Sequence, residues 1–203
     1  MPKLTKEIRD LVVANAKLEF LENGFEHTSM RKIASNVGIS VAGLYKLFAN
    51  KEALFDEVVK PAIVEFDTYY ENVKKDSVRK LECEEFDAIW SGRSIESILN
   101  LLYADFDAFK LIICCSTGTK YENFLHDLVV REQKDTEKFV QRLEESGVSV
   151  RPVRSEYVHI LMRSYYGALF DVVRHDFTRN QAEQFLIVLN KFFEPGWREI
   201  FRV

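Results

Sequence analysis

The stretch from His27 to Lys51 holds the side chains with the most distinctive chemistry in this chain. It contains Arg31, Lys32 and Lys46 besides several hydroxyl and amide groups, and it contains no Asp or Glu. Cations and hydroxyls without competing carboxylates are suited to donating hydrogen bonds to phosphate oxygens, and an arginine can also contact guanine through O6 and N7. The stretch therefore predicts contact with a nucleic acid, although a solvated surface is the competing interpretation for each side chain taken alone.

Two short helices fit inside this stretch, with a glycine between them. Thr28 or Ser29 can cap the first helix, because a side-chain hydroxyl accepts a hydrogen bond from an unpaired backbone N–H. Gly38 suits the positive φ at a helix C-terminus, and Ser40 can cap the second helix. Two helices joined by a short turn containing glycine form a helix-turn-helix, whose second helix enters the major groove of DNA. The expected helices span about 28–36 and 40–47.

The charge is distributed unevenly along the chain. Residues 1–51 carry eight Lys or Arg and five Asp or Glu, whereas the 203-residue chain as a whole has a formal net charge of −4. The negative total argues against an indiscriminate nucleic-acid binder, because such proteins rely on a broadly basic surface. One basic end on an acidic body predicts nucleic-acid contact at that end.

Residues 12–55 resemble the DNA-binding domain of the TetR family of bacterial transcription regulators. The run from Leu44 to Phe48, followed by Asn50-Lys51-Glu52, is especially typical of that family. The other matching residues are Ala16, Phe20, Gly24, Phe25, Thr28, Ile33, Ala34, Gly38, Ile39, Ser40, Leu54 and Phe55. Three residues stand where the family usually has Ala, Leu and Ala: Asn15, Glu19 and Val37.

The resemblance implies an all-α fold, in which an N-terminal three-helix helix-turn-helix DNA-binding domain (1–50) is followed by a connecting helix (51–74) and a larger helical effector-binding and dimerisation domain (75–203). It implies a cytoplasmic homodimeric transcription regulator, with a repressor released from a palindromic operator by an unknown small-molecule effector as the leading form. No cofactor or membrane partner is expected. The candidate DNA contacts are Thr28, Ser29, Arg31, Ser40, Val41, Ala42, Gly43, Tyr45, Lys46 and Lys51.

Helical periodicity continues through the rest of the chain, and no strand pattern competes with it. Pro61 is expected to interrupt or kink the connecting helix, because proline removes a hydrogen bond and clashes with the preceding turn. A polar break is expected after Lys74, and residues 106–115 are apolar enough to be central. Further helices are expected at about 5–23, 78–90, 95–103, 121–146, 154–175 and 179–193.

Aromatic side chains after residue 75 are the candidates for an effector pocket, although each alone is more often ordinary core. They are Trp90, Tyr103, Phe106, Phe109, Phe124, Tyr165, Tyr166 and Phe170. The last two helices are apolar around much of their circumference, so a surplus face predicts a four-helix dimer interface, with a monomer core that uses both faces as the alternative. The candidate interface residues are Leu161, Tyr165, Leu169, Val172, Phe185 and Leu189.

Other functional classes have less support. The chain shows no nucleophile elbow, phosphate loop or zinc-ligand spacing, so neither an enzyme nor a metal site is expected. Its three cysteines are too few for a disulfide framework; buried core thiols are the favoured interpretation, with a sensor of thiol-reactive compounds at Cys114-Cys115 as the alternative. The first residues lack a signal-peptide core, and no apolar run reaches the ~20 residues that span a bilayer. An architectural DNA binder or a protein-interaction module stays open.

Overall fold

The computed structural model describes residues 2–83 and 94–201, with side chains from Thr5 onward. Trp90 and most of the helix predicted for 78–90 lie outside the described residues. Within the described residues the regular structure is entirely helical, which confirms the all-α class, and no described helix is long and apolar enough to cross a membrane. The helices are α1 Pro2–His27, α2 Met30–Val37, α3 Val41–Leu47, α4 Lys51–Glu82, α5 Ile95–Ala104, α6 Phe106–Cys114, α7 Phe124–Glu145, α8 Ser155–Arg174 and α9 Arg179–Phe201.

The chain folds as two compact units. The N-terminal unit combines residues 1–65 with 105–122, and the C-terminal unit combines 66–104 with 123–203. Helix α4 contributes its first half to one unit and its second half to the other. The domain bounds expected from the sequence remain a prediction.

Aromatic rings and branched aliphatic side chains make the core of the N-terminal unit. Phe20 of α1 and Phe55 of α4 are fully buried, and their ring centroids lie 5.0 Å apart in an edge-on arrangement. Phe25 adds a second edge-on contact to Phe55 at 5.4 Å. Burial of one such side chain contributes about 1.5–3 kcal/mol. Ile33 of α2 and Leu44 of α3 are also fully buried, so the same core supports both helices of the predicted helix-turn-helix.

Helix α4 passes through Pro61 and continues to Glu82, so Pro61 does not interrupt it and the predicted polar break after Lys74 is wrong. The alternative prediction for Pro61, a kink within the helix, stays a prediction. A proline removes a single backbone hydrogen bond. Apolar residues around it, including Val59 and Ala62, are buried at helical spacing, and this packing outweighs the local loss. Residues 74–80 are polar because they lie on a partly exposed helix, not because the chain leaves the helical conformation.

The later helices agree with the periodicity. The helix expected at 95–103 is α5, and the one expected at 121–146 is the slightly shorter α7. Helix α9 runs past the expected end at 193 and through Pro195 to Phe201. Buried residues of α8 and α9, with those of α5 and α7, form the core of the C-terminal unit: Leu99, Leu102, Val129, Leu143, Met162, Phe170, Val173, Ala182 and Leu186.

The cysteines do not lie in the core, and the prediction of buried thiols is wrong. Cys83 and Cys114 are exposed and Cys115 is half-buried. Helix α6 buries Phe109 and Ile112 but ends at Cys114, so the last two cysteines lie where the helix leaves its packed surface. Partial burial raises the pKa of the Cys115 thiol.

Candidate nucleic-acid interface and ligand cavity

The turn between α2 and α3 has the predicted geometry. Gly38 adopts φ +72°, and the N–H groups of Gly38 and Ile39 donate to the carbonyls of Ser35 and Ala34, which ends α2. Ser40 caps α3, because its Oγ accepts the Gly43 N–H at 3.0 Å. A Cβ at position 43 would lie 3.2 Å from that Oγ, so a glycine is the residue that best accommodates the cap.

Most of the predicted DNA contacts lie on the surface of this pair of helices. Ser29 and Arg31 are exposed beside α2, and Ser40, Ala42, Tyr45 and Lys46 are exposed on α3. Val41 and Gly43 are half-buried. Arg31 and Lys46 make no hydrogen bond or ion pair with another residue in the described part of the chain. Their charges are therefore available to an external anion.

Thr28 and Lys51 have partners inside the unit. Thr28 is buried, and its Oγ1 lies 2.7 Å from the Gly24 carbonyl oxygen and 3.0 Å from that of Glu19. The Lys51 ammonium donates to the carbonyls of Glu26 and Thr28 at 3.0 and 3.2 Å. Both side chains close the C-terminal end of α1, where carbonyls lack helical partners. Their geometry favours a structural contribution over direct contact with a phosphate.

Ser29 occupies the N-cap position of α2 with extended backbone, yet its side chain makes no capping hydrogen bond. The predicted cap of α2 by a Thr28 or Ser29 hydroxyl is therefore wrong. The Thr28 hydroxyl binds back to α1 instead. The exposed Ser29 hydroxyl at this helix N-terminus is left facing solvent.

A buried carboxylate joins α1 to α2, and no role was predicted for it from the sequence. Glu19 is only 6% exposed; its Oε1 accepts Asn36 Nδ2 at 2.9 Å, and its Oε2 lies 3.0 Å from Lys32 Nζ. The hydrogen bond to Glu19 raises the pKa of Lys32. The departure of position 19 from the usual leucine was the only signal in the sequence.

The C-terminal end of α3 is held by an arginine of α1. Arg9 Nη1 donates to the Leu47 carbonyl at 3.0 Å, its Nη2 lies 3.0 Å from Glu57 Oε1, and its guanidinium lies 4.4 Å from the centroid of the Phe48 ring. These contacts connect α3 to both α1 and α4. The exposed face of α3 is therefore presented by a helix fixed at both ends.

Residues 115–122 also pack against this unit. The Phe25 N–H donates to the Cys115 carbonyl at 2.9 Å, the Lys120 ammonium lies 2.5 Å from Asp56 Oδ1, and the Tyr121 hydroxyl donates to the same carboxylate. Burial alone would raise the pKa of Asp56, but the hydrogen bonds from Lys120 and Tyr121 outweigh it and lower that pKa. Burial and the neighbouring Asp56 raise the pKa of Tyr121 to about 12.

The C-terminal unit contains a partly open cavity of about 400 Å³. Its wall combines the second half of α4 with residues of α5, α7, α8 and α9, and aromatic rings dominate it. Of the predicted effector residues, three line the cavity: Tyr165, Tyr166 and Phe170. Aromatic residues that line it but were not singled out from the sequence are Phe66, Tyr69, Tyr70, Phe139, Phe193, Trp197 and Phe201.

The remaining effector candidates have other positions. The Tyr103 hydroxyl donates to the Phe177 carbonyl at 2.6 Å. Phe106 and Phe109 belong to the N-terminal unit. Phe124 packs edge-on against Phe66 and Phe170 at 5.2 and 5.9 Å, behind the cavity wall. None of these four lines the cavity, because the sequence shows which residues are apolar but not which sides of the helices leave space between them.

The predicted dimer residues divide between core and surface. Leu169, Val172 and Leu189 are buried within the single chain, whereas Leu161, Tyr165 and Phe185 are half-buried. Other apolar side chains carry the exposed surplus. On α8 and α9 these are Tyr157, Ile160, Ile187, Val188 and Phe192, the last of which is 76% exposed. We call these five residues the apolar face.

Sequence comparison identifies relatives of the chain. Residues 12–58 match the model of the family described as bacterial regulatory proteins, tetR family. Over 194 residues the chain is 26% identical to the HTH-type transcriptional regulator SAS2464 of Staphylococcus aureus (strain MSSA476), covering 89% of this chain and 100% of that protein. Over 106 residues it is 30% identical to the uncharacterized HTH-type transcriptional regulator YfiR of Bacillus subtilis (strain 168), covering 50% of this chain and 45% of that protein.

Solved structures share the fold. The TetR family transcriptional regulator PfmR from Thermus thermophilus matches with a TM-score of 0.53 at 22% identity, covering 89% of this chain and 93% of that chain. NalD, the secondary repressor of the MexAB-OprM multidrug efflux pump in Pseudomonas aeruginosa, matches with a TM-score of 0.50 at 19% identity, covering 93% of this chain and 96% of that chain. At these identities the likeness concerns the fold alone.

Proposed function

We propose that the chain is a DNA-binding transcription regulator of the TetR family, and that it acts as a homodimeric repressor released from a palindromic operator by a small molecule. Such regulators are not enzymes. We expect the protein to bind its operator in the cytoplasm, because the bacterial chromosome lies there.

Helix α4 is the observation that carries the proposal. Its first half buries Leu54, Phe55 and Val58 in the N-terminal unit, and its second half lines the cavity with Phe66, Tyr70 and other residues. The same continuous helix therefore supports the DNA-binding helices with its first half and contacts a cavity ligand with its second half. A ligand that favours the non-binding conformation ~100-fold supplies about 2.7 kcal/mol, within the usual range of allosteric coupling.

The proposed DNA contacts follow exposure and chemistry. Arg31 and Lys46 are exposed cations available to DNA, and Ser29, Ser40 and Tyr45 carry exposed hydroxyls that donate to phosphates. Ala42 presents a small apolar group, which suits a thymine methyl in the major groove. Val41 and Gly43 lie in the first turn of α3, where small residues let the helix backbone approach the DNA closely. Thr28 and Lys51 support this surface from behind.

Assembly as a homodimer follows from the apolar face. A monomeric protein rarely leaves a large apolar patch in water, and α8 and α9 together expose these five large apolar side chains. Pairing of α8 and α9 with the same helices of a second chain would cover them. Two recognition helices related by a two-fold axis read a palindrome whose half-sites lie about 34–36 Å apart, or a multiple of that distance.

Selection of genomic fragments by the full-length protein tests the function. Fragments of the source genome are bound, recovered and sequenced, and bound positions are mapped by footprinting. We expect enrichment of a palindromic site, and loss of that binding in Ala42→Asp, because a carboxylate would face DNA phosphates. Ala14→Asp, at an exposed alanine of α1, is the matched control and should bind normally.

Three outcomes would contradict the proposal. Absence of any enriched fragment would favour a protein-interaction module. Binding without sequence preference would favour an architectural DNA binder. Normal operator binding by Ala42→Asp, with an unchanged circular dichroism spectrum, would remove α3 from the groove.

A further inference from the structure

The cavity in the C-terminal unit has an apolar interior with charged groups in its wall. Phe193, Trp197 and Phe201 follow one another at four-residue spacing on α9, with ring centroids 6.4 and 6.0 Å apart. Phe66 and Phe170 continue the aromatic wall at a centroid distance of 6.3 Å. Such a surface binds an apolar body of almost any shape. The charged groups therefore decide the chemical class of the ligand.

Every acidic group among the described residues that line the cavity already has a partner in the protein. Asp76 pairs with Lys80 at 2.7 Å, Asp135 pairs with Lys74 at 2.9 Å, and Glu194 pairs with Arg198 at 3.1 Å.

The fourth acid, Glu132, is close to the buried Tyr70. After burial itself, this carboxylate is the largest cause that raises the pKa of the Tyr70 hydroxyl. Tyr70 also donates a hydrogen bond to Asp135 at 3.1 Å. The acidic side of the wall therefore forms an internally satisfied network and offers little to a ligand cation.

The basic groups are not balanced in the same way. Lys74 and Lys80 are taken by the acids. Arg142 lines the cavity, and its guanidinium makes no hydrogen bond or ion pair with any other residue that the structure describes. Lys138, one helical turn earlier on α7, is 73% exposed. Its ammonium lies 3.9 Å from Asp135, whose carboxylate is already paired with Lys74 at 2.9 Å. Residues four apart on a helix are neighbours, so the two cations adjoin at the cavity wall.

We propose that the ligand of this cavity is an amphipathic carboxylate, whose apolar body packs among the aromatic rings and whose carboxylate pairs with Arg142 and Lys138. An arginine guanidinium binds a carboxylate through two parallel hydrogen bonds, which gives orientation as well as affinity. A ligand cation would instead meet these two positive charges. The inference rests on the proposed function, because it names the class of molecule that would act as effector.

Arg142 also lies in the last turn of α7, where a positive charge stabilises a helix. This contribution and ligand binding have different consequences. Stabilisation of the helix affects the melting temperature without regard to ligand charge. Pairing with a carboxylate creates a preference among ligands that differ only in their head group.

Three probes with a common apolar chain separate these consequences: decanoate, decanol and decyltrimethylammonium. Each is titrated into the full-length protein by calorimetry below its critical micelle concentration. We expect decanoate to bind about fivefold more tightly than decanol, as suits a partly exposed ion pair, and the ammonium to bind most weakly. Arg142→Ala should abolish the preference for decanoate, and Arg142→Glu should reverse it towards the ammonium.

Lys134→Ala is the matched control, since Lys134 is an exposed cation of the same helix that does not line the cavity, and it should keep the wild-type order of affinities. Failure of decanoate to bind, equal affinities for decanoate and decanol, or a preference that survives in Arg142→Ala would overturn the proposal. A lower melting temperature in Arg142→Ala with an unchanged order of affinities would assign Arg142 to helix stability alone.

Operator binding in the presence of each probe distinguishes this inference from the proposed function. Release by the ammonium but not by decanoate would retain ligand-controlled repression and overturn the carboxylate class. Binding of decanoate that leaves operator affinity unchanged would retain the carboxylate class and remove its effector role.

Discussion

Glu19 shows how one residue can replace an apolar contact between helices with a polar one. The family position usually holds leucine, which joins α1 to its neighbours by packing alone. In this chain the buried carboxylate accepts Asn36 Nδ2 and lies 3.0 Å from the Lys32 ammonium, both on α2. A buried charge is tolerated only when its hydrogen-bonding capacity is satisfied. Position 19 therefore depends on residues 32 and 36, which a local motif does not reveal.

Removal of this carboxylate should destabilise the N-terminal unit. We expect Glu19→Ala to lower the free energy of unfolding by about 1–3 kcal/mol, because the charge-assisted hydrogen bond from the Asn36 amide would be lost. Urea titration followed by circular dichroism measures the change. Glu22→Ala is the control, since Glu22 is 69% exposed and 3.7 Å from Lys32, and it should be nearly neutral. Equal effects of the two substitutions would contradict the assigned contribution of Glu19.

Lys46 and Lys51 should differ in how their loss affects DNA binding. Lys46 is exposed on α3, so Lys46→Ala should reduce the slope of log K against log salt by about 0.9 for one lost phosphate contact. Lys51 donates to two carbonyls at the end of α1 and lies 4.5 Å from the centroid of the Phe25 ring. Lys51→Ala should therefore lower the melting temperature and leave the slope nearly unchanged. Fluorescence anisotropy over a salt series checks both, and an equal loss of slope would return Lys51 to the DNA-contacting surface.

At the scale of elements, the segment 115–122, together with α6 before it, is the part of the N-terminal unit that the motif did not predict. It joins this unit from a position far along the chain, through Asp56, Phe55 and Phe25. None of these contacts was predicted from the sequence. Long-range pairing of this kind has no local periodicity, so a single sequence does not indicate it.

The Asp56–Tyr121 contact predicts a particular dependence of stability on pH. The pKa of Tyr121 is raised from 10.0 to about 12, so its contribution is complete below pH 10.0 and is lost as pH rises towards 12. The pKa of Asp56 is lowered from 3.8, so its contribution is present above pH 3.8 and is lost at more acidic pH. Tyr121→Phe should therefore lose less thermal stability than the wild type between pH 10 and 12.

Scanning calorimetry across that alkaline window makes the comparison. Tyr45→Phe, at an exposed tyrosine of α3, is the control and should follow the wild-type curve. If the melting temperatures of Tyr121→Phe and the wild type fell in parallel with pH, the half-buried Tyr121 hydroxyl would not contribute to the pH dependence of stability.

The sequence predicted where the helices lie, but not that α4 and α9 continue past a proline. Periodicity located α5, α7 and α8 because each buries a clear apolar stripe. Pro61 and Pro195 lie inside helices that continue past them. Around Pro61, packing of the buried Val59 and Ala62 compensates for one lost hydrogen bond. Local rules for breaking helices do not include that compensation.

At the scale of the whole molecule, an apolar surplus on α8 and α9 was predicted, and three of the residues named for it are buried within the single chain. Both helices are apolar on more than one side, and the sequence does not show which side the subunit itself covers. The structure buries Leu169 and Leu189 and exposes Ile160, Val188 and Phe192. The cavity presents the same difficulty, since most of its aromatic lining comes from α4 and α9 and was not singled out beforehand.

Charge placed on the apolar face should separate the proposed dimer into folded monomers. Phe192 is 76% exposed in the single chain, so Phe192→Glu should leave the subunit intact while placing a carboxylate in the pairing surface. Light scattering at micromolar concentration should give the dimer mass for the wild type and the monomer mass for the variant, with equal circular dichroism. Operator affinity should fall as well, because each half-site would then be bound without its partner.

Leu18→Glu is the matched control, because Leu18 is 66% exposed on α1 and lies outside the apolar face. It carries the same new charge and should remain dimeric. Leu189→Glu should instead unfold the chain, since Leu189 is buried within the subunit. A Phe192→Glu protein that stays dimeric, also when Val188→Glu is added, would place the dimer contact elsewhere and leave the apolar face to another partner.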